Sequence, residues 1–137
     1  NDLNDRYLRM AAEYDNYRKR SQREREQAYT DAVSRAVTAL LPTYDNLERA
    51  LKAETADTEY KKGVELTMTQ LTESLKGINV TVIDAAAGTA FDPIFHNAVM
   101  HVEDENTADN TVVEEFMKGY KYKDDRVIRH SMVKVAN

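Results

Sequence analysis

His96, His101 and His130 are the only imidazoles in this chain, and it has no cysteine. Disulfides, thiolate zinc sites and cysteine nucleophiles are therefore excluded. A metal would need carboxylates beside the imidazoles, and no compact spacing provides them. His96 and His101 stand five apart across an expected loop-to-strand transition, which places them on no common face. His96 reads instead as a hydrogen-bonded structural residue beside the Asp92–Pro93 turn. Glu103, Asp104 and Glu105 form one acidic run. Glu114 and Glu115 form another, but neighbours on a strand point to opposite faces and cannot work as a pair. There is no glycine-rich phosphate loop and no Gly-x-Ser-x-Gly turn. No enzyme, cofactor or metal is expected from these residues.

Two charged stretches suggest binding rather than bond chemistry. "RKRSQRER" (18–25) has the charge for nucleic acid, but Glu24 and Glu26 interleave and Asp15 sits four before Lys19, as on a solvated helix face. The net charge of -5 also opposes a general nucleic-acid binder. "KGYKYKDDRVIRHSMV" (118–133) reads as two strands joined by a charged turn, with Tyr120 and Tyr122 on one limb and Arg126 and Arg129 on the other. Arg and Tyr are enriched where interfaces carry their energy. An ordinary edge hairpin with solvated charges accounts for the composition equally well.

The elements that must carry these residues follow from periodicity. The chain has 137 residues, 42% hydrophobic and 31% charged, with only four Gly and two Pro. Its mean hydropathy of -0.68 is polar for a compact globule and suits extended helices. Leu3, Tyr7, Met10, Tyr14 and Tyr17 follow a 4-3-4-3 spacing, and Val33, Val37, Leu40, Tyr44, Leu47 and Leu51 follow the same alternation. Such a stripe faces a partner helix. The two registers do not join in phase, and Ser21, Glu24 and Ala28 are poor seam residues, so pairing loosens over 21–32. A helix of about 40 residues is ~60 Å long and cannot bury its stripe against so small a domain, which predicts a dimer.

Pro42 in "ALLPTYDNLERAL" predicts a break at Leu41–Pro42, since proline inside a helix costs ~3 kcal/mol and is cheap only at a helix start. A short helix is then expected to about Ala53. A third, marked by Tyr60, Val64, Met68, Leu71 and Leu75, begins at an Asp57 or Thr58 cap and ends at Gly77. Two short helices from each of two chains would make a four-helix bundle. Beyond Gly77 the period becomes two: 79–85, 97–103, 111–122 and 126–136 read as strands. The expected fold is α+β: a dimerising helix over 1–41, bundle helices over 42–77 and a small all-β domain over 78–137. No apolar run approaches the ~18 residues of a membrane span and no signal pattern opens the chain, so a soluble cytoplasmic protein is expected.

The stretches "RYLRMAAEYDNYRKRSQRE", "ALLPTYDNLERAL", "GVELTMTQL", "FDPIFHNAVM" and "KGYKYKDDRVIRHSMVKVA" together resemble the GrpE family, nucleotide exchange factors of the chaperone DnaK. The chain starts without Met, and the resemblance implies a polar N-terminal tail ahead of it. It also implies a parallel homodimer whose β domain opens the DnaK nucleotide-binding domain so that ADP leaves. By position, Arg126, Met117 and Arg35 match contact residues, with Gly119, Tyr120 and Arg129 beside them. Phe91, Asp92, Pro93, His96, Ala98 and Val99 match a motif that shapes the β domain. Five residues separate Tyr120 from Arg126 where the family pattern has four, so a larger turn or a bulge is expected. The Tyr-rich seam is expected to melt before the bundle and slow exchange on heating. The alternative is a dimeric coiled-coil adaptor with a peptide- or protein-binding β domain and no exchange activity.

Overall fold

The computed structural model describes residues 1–137, which divide into two compact units, Asn1–Ala36 and Val37–Asn137. The element order is α1 (Asp2–Lys52), α2 (Thr58–Gly77), then strands β1 (Val80–Val82), β2 (His96–Val102), β3 (Thr111–Met117), β4 (Tyr120–Tyr122), β5 (Arg126–Arg129) and β6 (Ser131–Ala136).

The first unit is helix throughout. It has no Gly or Pro, and Asp2 and Asp5 in its first turn complement the helix dipole. Asp2–Arg6 at 3.2 Å and Asp15–Lys19 at 3.0 Å add i,i+4 pairs. The stripe Leu3, Tyr7, Met10, Tyr14 and Tyr17 is 57–74% exposed. A single chain therefore leaves its apolar seam uncovered.

The expected break at Leu41–Pro42 is absent: α1 runs through Pro42 to Lys52. The ring lies on the exposed side of the helix, where water can reach the carbonyl it deprives of a partner. On the opposite side Val37, Leu41 and Tyr44 are buried, and their packing outweighs the local penalty. These burials also correct the seam. Val37, Tyr44, Met68 and Leu75 are 2–8% exposed within one chain, so they belong to its own core and not to a contact with a second copy. Leu40 remains 53% exposed. Val33, Leu47, Leu51, Val64 and Leu71 are half-buried.

Helix α2 begins as its sequence indicates. The Asp57 carboxylate accepts a hydrogen bond from the Tyr60 N–H at 3.0 Å. At its end Gly77 is still helical, and the left-handed residue is Asn79, at φ 65. Its N–H donates to the Lys76 carbonyl at 2.9 Å and closes the last turn.

The strands form two three-stranded sheets, ordered β1-β4-β5 and β2-β6-β3. All pairs are antiparallel except β2 with β6. The two long strands expected over 111–122 and 126–136 are each cut in two. The first breaks at Lys118–Gly119 and the second at His130, and there both limbs leave one sheet for the other. Central strand β6 buries Val133 and Val135 against Val112 and Ala85, with Phe91 and Ala98 packed around them. Val80, Tyr120 and Tyr122 are buried on the other sheet.

Candidate functional site

The corner where the chain changes sheets builds the candidate site. Gly119 donates its N–H to Ser131 Oγ at 3.1 Å and accepts from the Ile83 N–H at 2.9 Å. A Cβ at position 119 would collide with the Ser131 backbone nitrogen and stand 2.7 Å from the Arg129 carbonyl. Only glycine allows the two limbs to cross this closely.

From that corner β4 and β5 run out as a hairpin, with Tyr122 opposite Arg126. Its turn is Lys123–Asp125, with Lys123 left-handed at φ 54 and its N–H bonded to the Asn79 carbonyl at 2.7 Å. The register also slips between Tyr120 and Lys121, which leaves Ile128 as a bulge on β5. The longer spacing is thus taken up by a three-residue turn together with a bulge. Lys121 lies over the Phe95 ring at 5.2 Å and Lys123 over Tyr122 at 5.4 Å. Lys118, Lys121, Lys123 and Arg126 outnumber Asp124 and Asp125, so the hairpin is locally cationic in an acidic chain.

The contact residues read from sequence divide. Arg126 and Met117 are partly exposed, at the start of β5 and the end of β3. Arg35 is exposed on α1 in the first unit. Gly119 and Tyr120 are buried, Tyr120 to 1% exposure, so their side of the site is internal support, not a face for a partner. Arg129 is likewise turned inward. Its guanidinium donates to both Asp45 carboxylate oxygens at 2.8 Å and to the Lys118 carbonyl at 2.6 and 2.9 Å. Donating to the Asp45 carboxylate makes the guanidinium hold its proton more tightly than usual. The Tyr120 ring centre lies 5.8 Å from this guanidinium and 5.3 Å from the centre of the Tyr44 ring, the two tyrosine rings being nearly perpendicular.

Within the "FDPIFHNAVM" stretch, His96 is built into the fold by hydrogen bonds. His96 is 5% exposed. Its Nδ1 accepts from the Asp92 N–H at 3.0 Å, which fixes the tautomer, and Nε2–H then donates to the Asp84 carbonyl at 2.7 Å. The Asp92 carboxylate accepts from the Ile94 N–H at 2.9 Å, and Phe91 stacks obliquely on His96 at 5.9 Å. Ala98 faces the core, while Pro93 and Val99 are exposed. His101 and His130 are exposed, His101 on β2 and His130 between β5 and β6. No three of the His, Asp and Glu side chains gather as a metal site requires. No helix is long and apolar enough to cross a membrane.

Asp45 and Ser131 were not foreseen as site residues. Ser131 carries no signal beyond a polar residue in a strand pattern, and Asp45 meets a partner 84 residues away.

A family model described as GrpE matches residues 1–137. Proteins named Protein GrpE from Clostridium beijerinckii and Clostridium acetobutylicum are each 51% identical over 133 residues, covering 97% of this chain. One from Geobacillus stearothermophilus is 48% identical over 134 residues and 96% of the chain. The chain spans 60–65% of the length of these three relatives. Matched along its whole length and closely similar to several relatives, the chain belongs to the GrpE family.

Proposed function

We propose that this chain is the exchange-active part of a co-chaperone that opens the nucleotide-binding domain of DnaK and lets ADP leave. The observation that carries this reading is the hairpin β4–β5. Its base is fixed inside the fold by Gly119, Tyr120 and Arg129, while its turn is exposed with Arg126 half-buried beside it, and Lys118 and Lys121 on the same limb give the hairpin its net positive charge. A rigid cationic finger on a small β domain is suited to entering an acidic cleft between two lobes. Arg126 and Met117 contact the chaperone, and Arg35 supplies a further contact. The protein makes and breaks no bonds. It binds the open, nucleotide-poor cleft more tightly than the closed one and shifts the population by that difference.

The working unit is a homodimer. The uncovered stripe Leu3, Tyr7, Met10, Tyr14 and Tyr17 supports pairing of the first units, since so large an exposed apolar face marks an interaction surface. Leu40, Leu47, Leu51, Val64 and Leu71 extend the interface into the bundle. Three tyrosines make the seam wet and weak, which supports a heat-sensitive step before global unfolding. The site of action is the cytoplasm.

Stopped-flow release of a fluorescent ADP from DnaK tests the reading. Acceleration that Arg126→Ala abolishes is expected. No acceleration by a folded dimer would leave the adaptor reading in its place.

A further inference from the structure

Asp45 sits on α1, a long way in sequence from the hairpin, yet its carboxylate takes both forks of the Arg129 guanidinium at 2.8 Å. The pair is sheltered, with the two side chains 20% and 18% exposed. Arg129 ends β5, and two of its N–H groups close on the Lys118 carbonyl, the last residue before the Gly119 corner. One side chain thus ties both limbs of the hairpin base to the helix. The contact is reinforced by a stack: Tyr44, one residue before Asp45, meets Tyr120 of β4 edge-on at an interplanar angle of 80°. β4 and β5 otherwise pair only with each other and with the three-residue strand β1, a thin support for a lever.

The geometry points to Asp45 as a positioning residue that locks the docking hairpin to helix α1, so that exchange depends on a carboxylate that never touches the chaperone. This rests on the exchange reading above. A bidentate guanidinium–carboxylate pair fixes direction as well as distance, which a single charge contact does not. Unlocked, the hairpin samples several poses, of which one fits the cleft. If that pose falls to about a tenth of the population, apparent affinity falls about tenfold while the rate at saturation is kept.

The test uses the full chain. Because the protein has no cysteine, labels can be placed at will. Spin labels on the Ala50→Cys (α1), Asp124→Cys (hairpin tip) double variant are read by pulsed electron resonance, diluted with unlabelled chain so that only intrachain distances register. Asp45→Asn keeps the shape and one acceptor, and Arg129→Lys keeps the charge but loses the fork. Both are first checked for native circular dichroism. The expected result is a narrow distance distribution in the parent and broad ones in both variants, with the half-saturating concentration for ADP release raised about tenfold at an unchanged maximal rate. Distributions as narrow as the parent's would overturn the lock. Broad distributions with unchanged half-saturation would overturn its part in exchange. A parent that fails to speed ADP release would sink the exchange reading, and the distances alone would then decide the lock.

Discussion

Gly119→Ala is the sharpest perturbation the fold offers. The added methyl would overlap the Ser131 backbone nitrogen and stand 2.6 Å from its hydroxyl and 2.7 Å from the Arg129 carbonyl. Two of these three obstacles are backbone atoms of the paired limb, which no rotamer change can move. Relief requires the limbs to separate, and that breaks the Gly119 N–H bond to Ser131 Oγ. Overpacking of this kind costs ~1–3 kcal/mol, and the lost hydrogen bond adds ~1 kcal/mol. For a unit of about 100 residues, a total near 3 kcal/mol lowers Tm by roughly 12–24 °C. Differential scanning calorimetry reads this directly. The double variant Gly119→Ala, Ser131→Gly removes the hydroxyl but not the backbone nitrogen, so it should recover only a minor part. A Tm within about 3 °C of the parent, or full recovery in the double variant, would refute the argument that backbone crossing demands glycine here.

Other outcomes are equally definite. Tyr44→Ala should cost ~3–5 kcal/mol by emptying its place against Tyr120, yet leave the monomer–dimer equilibrium in sedimentation unchanged; weakened dimerisation at retained stability would return Tyr44 to the seam. Asp57→Ala should cost about 1 kcal/mol by uncapping α2, seen as a Tm lowered by roughly 4–8 °C. Glu115 is held above its ordinary 4.5, chiefly by burial and further by Glu48, against the pull of Lys118, the Ser131 hydroxyl and His96. A carboxyl raised on folding costs stability once pH climbs past its unfolded value, because the native state then holds the extra proton. Glu115→Gln should therefore gain Tm relative to the parent as pH rises from about 4.5 toward 7; a gap independent of pH over that range would contradict the assignment.

Much of the architecture was legible because it is local. The Asp57 cap and the 3-4 spacing from Tyr60 to Leu75 gave α2 almost to the residue, and the change of period after Gly77 gave the β region. The failures share a cause: contacts between distant residues override local rules. Pro42 read as a break, but Val37, Leu41 and Tyr44 bury on the far side of the same turns and the helix is continuous. The alternation of Val37 and Tyr44 is the same whether the stripe faces a second chain or the chain's own core, so periodicity could not say which. Gly77 is indeed the last residue of α2, and only the left-handed residue lies further on, at Asn79. At the site, the charged turn was legible in the sequence, with Arg126 beginning the strand beyond it. That Arg129, three residues on with the same chemistry, faces inward could not be read without Asp45.

The order of strands in the second sheet has a consequence for how the protein is made. β6 lies between β2 and β3, and it is the last of the six in the chain. Neither edge strand has its partner until β6 has been synthesised, because β2 and β3 do not pair with each other. During translation the helices can form at once, whereas β2 and β3 wait with apolar faces open, a window in which a growing chain is prone to stick to its neighbours. A ribosome stalled just short of Ser131 would carry a helical, unfinished protein that itself fits the description of a chaperone client.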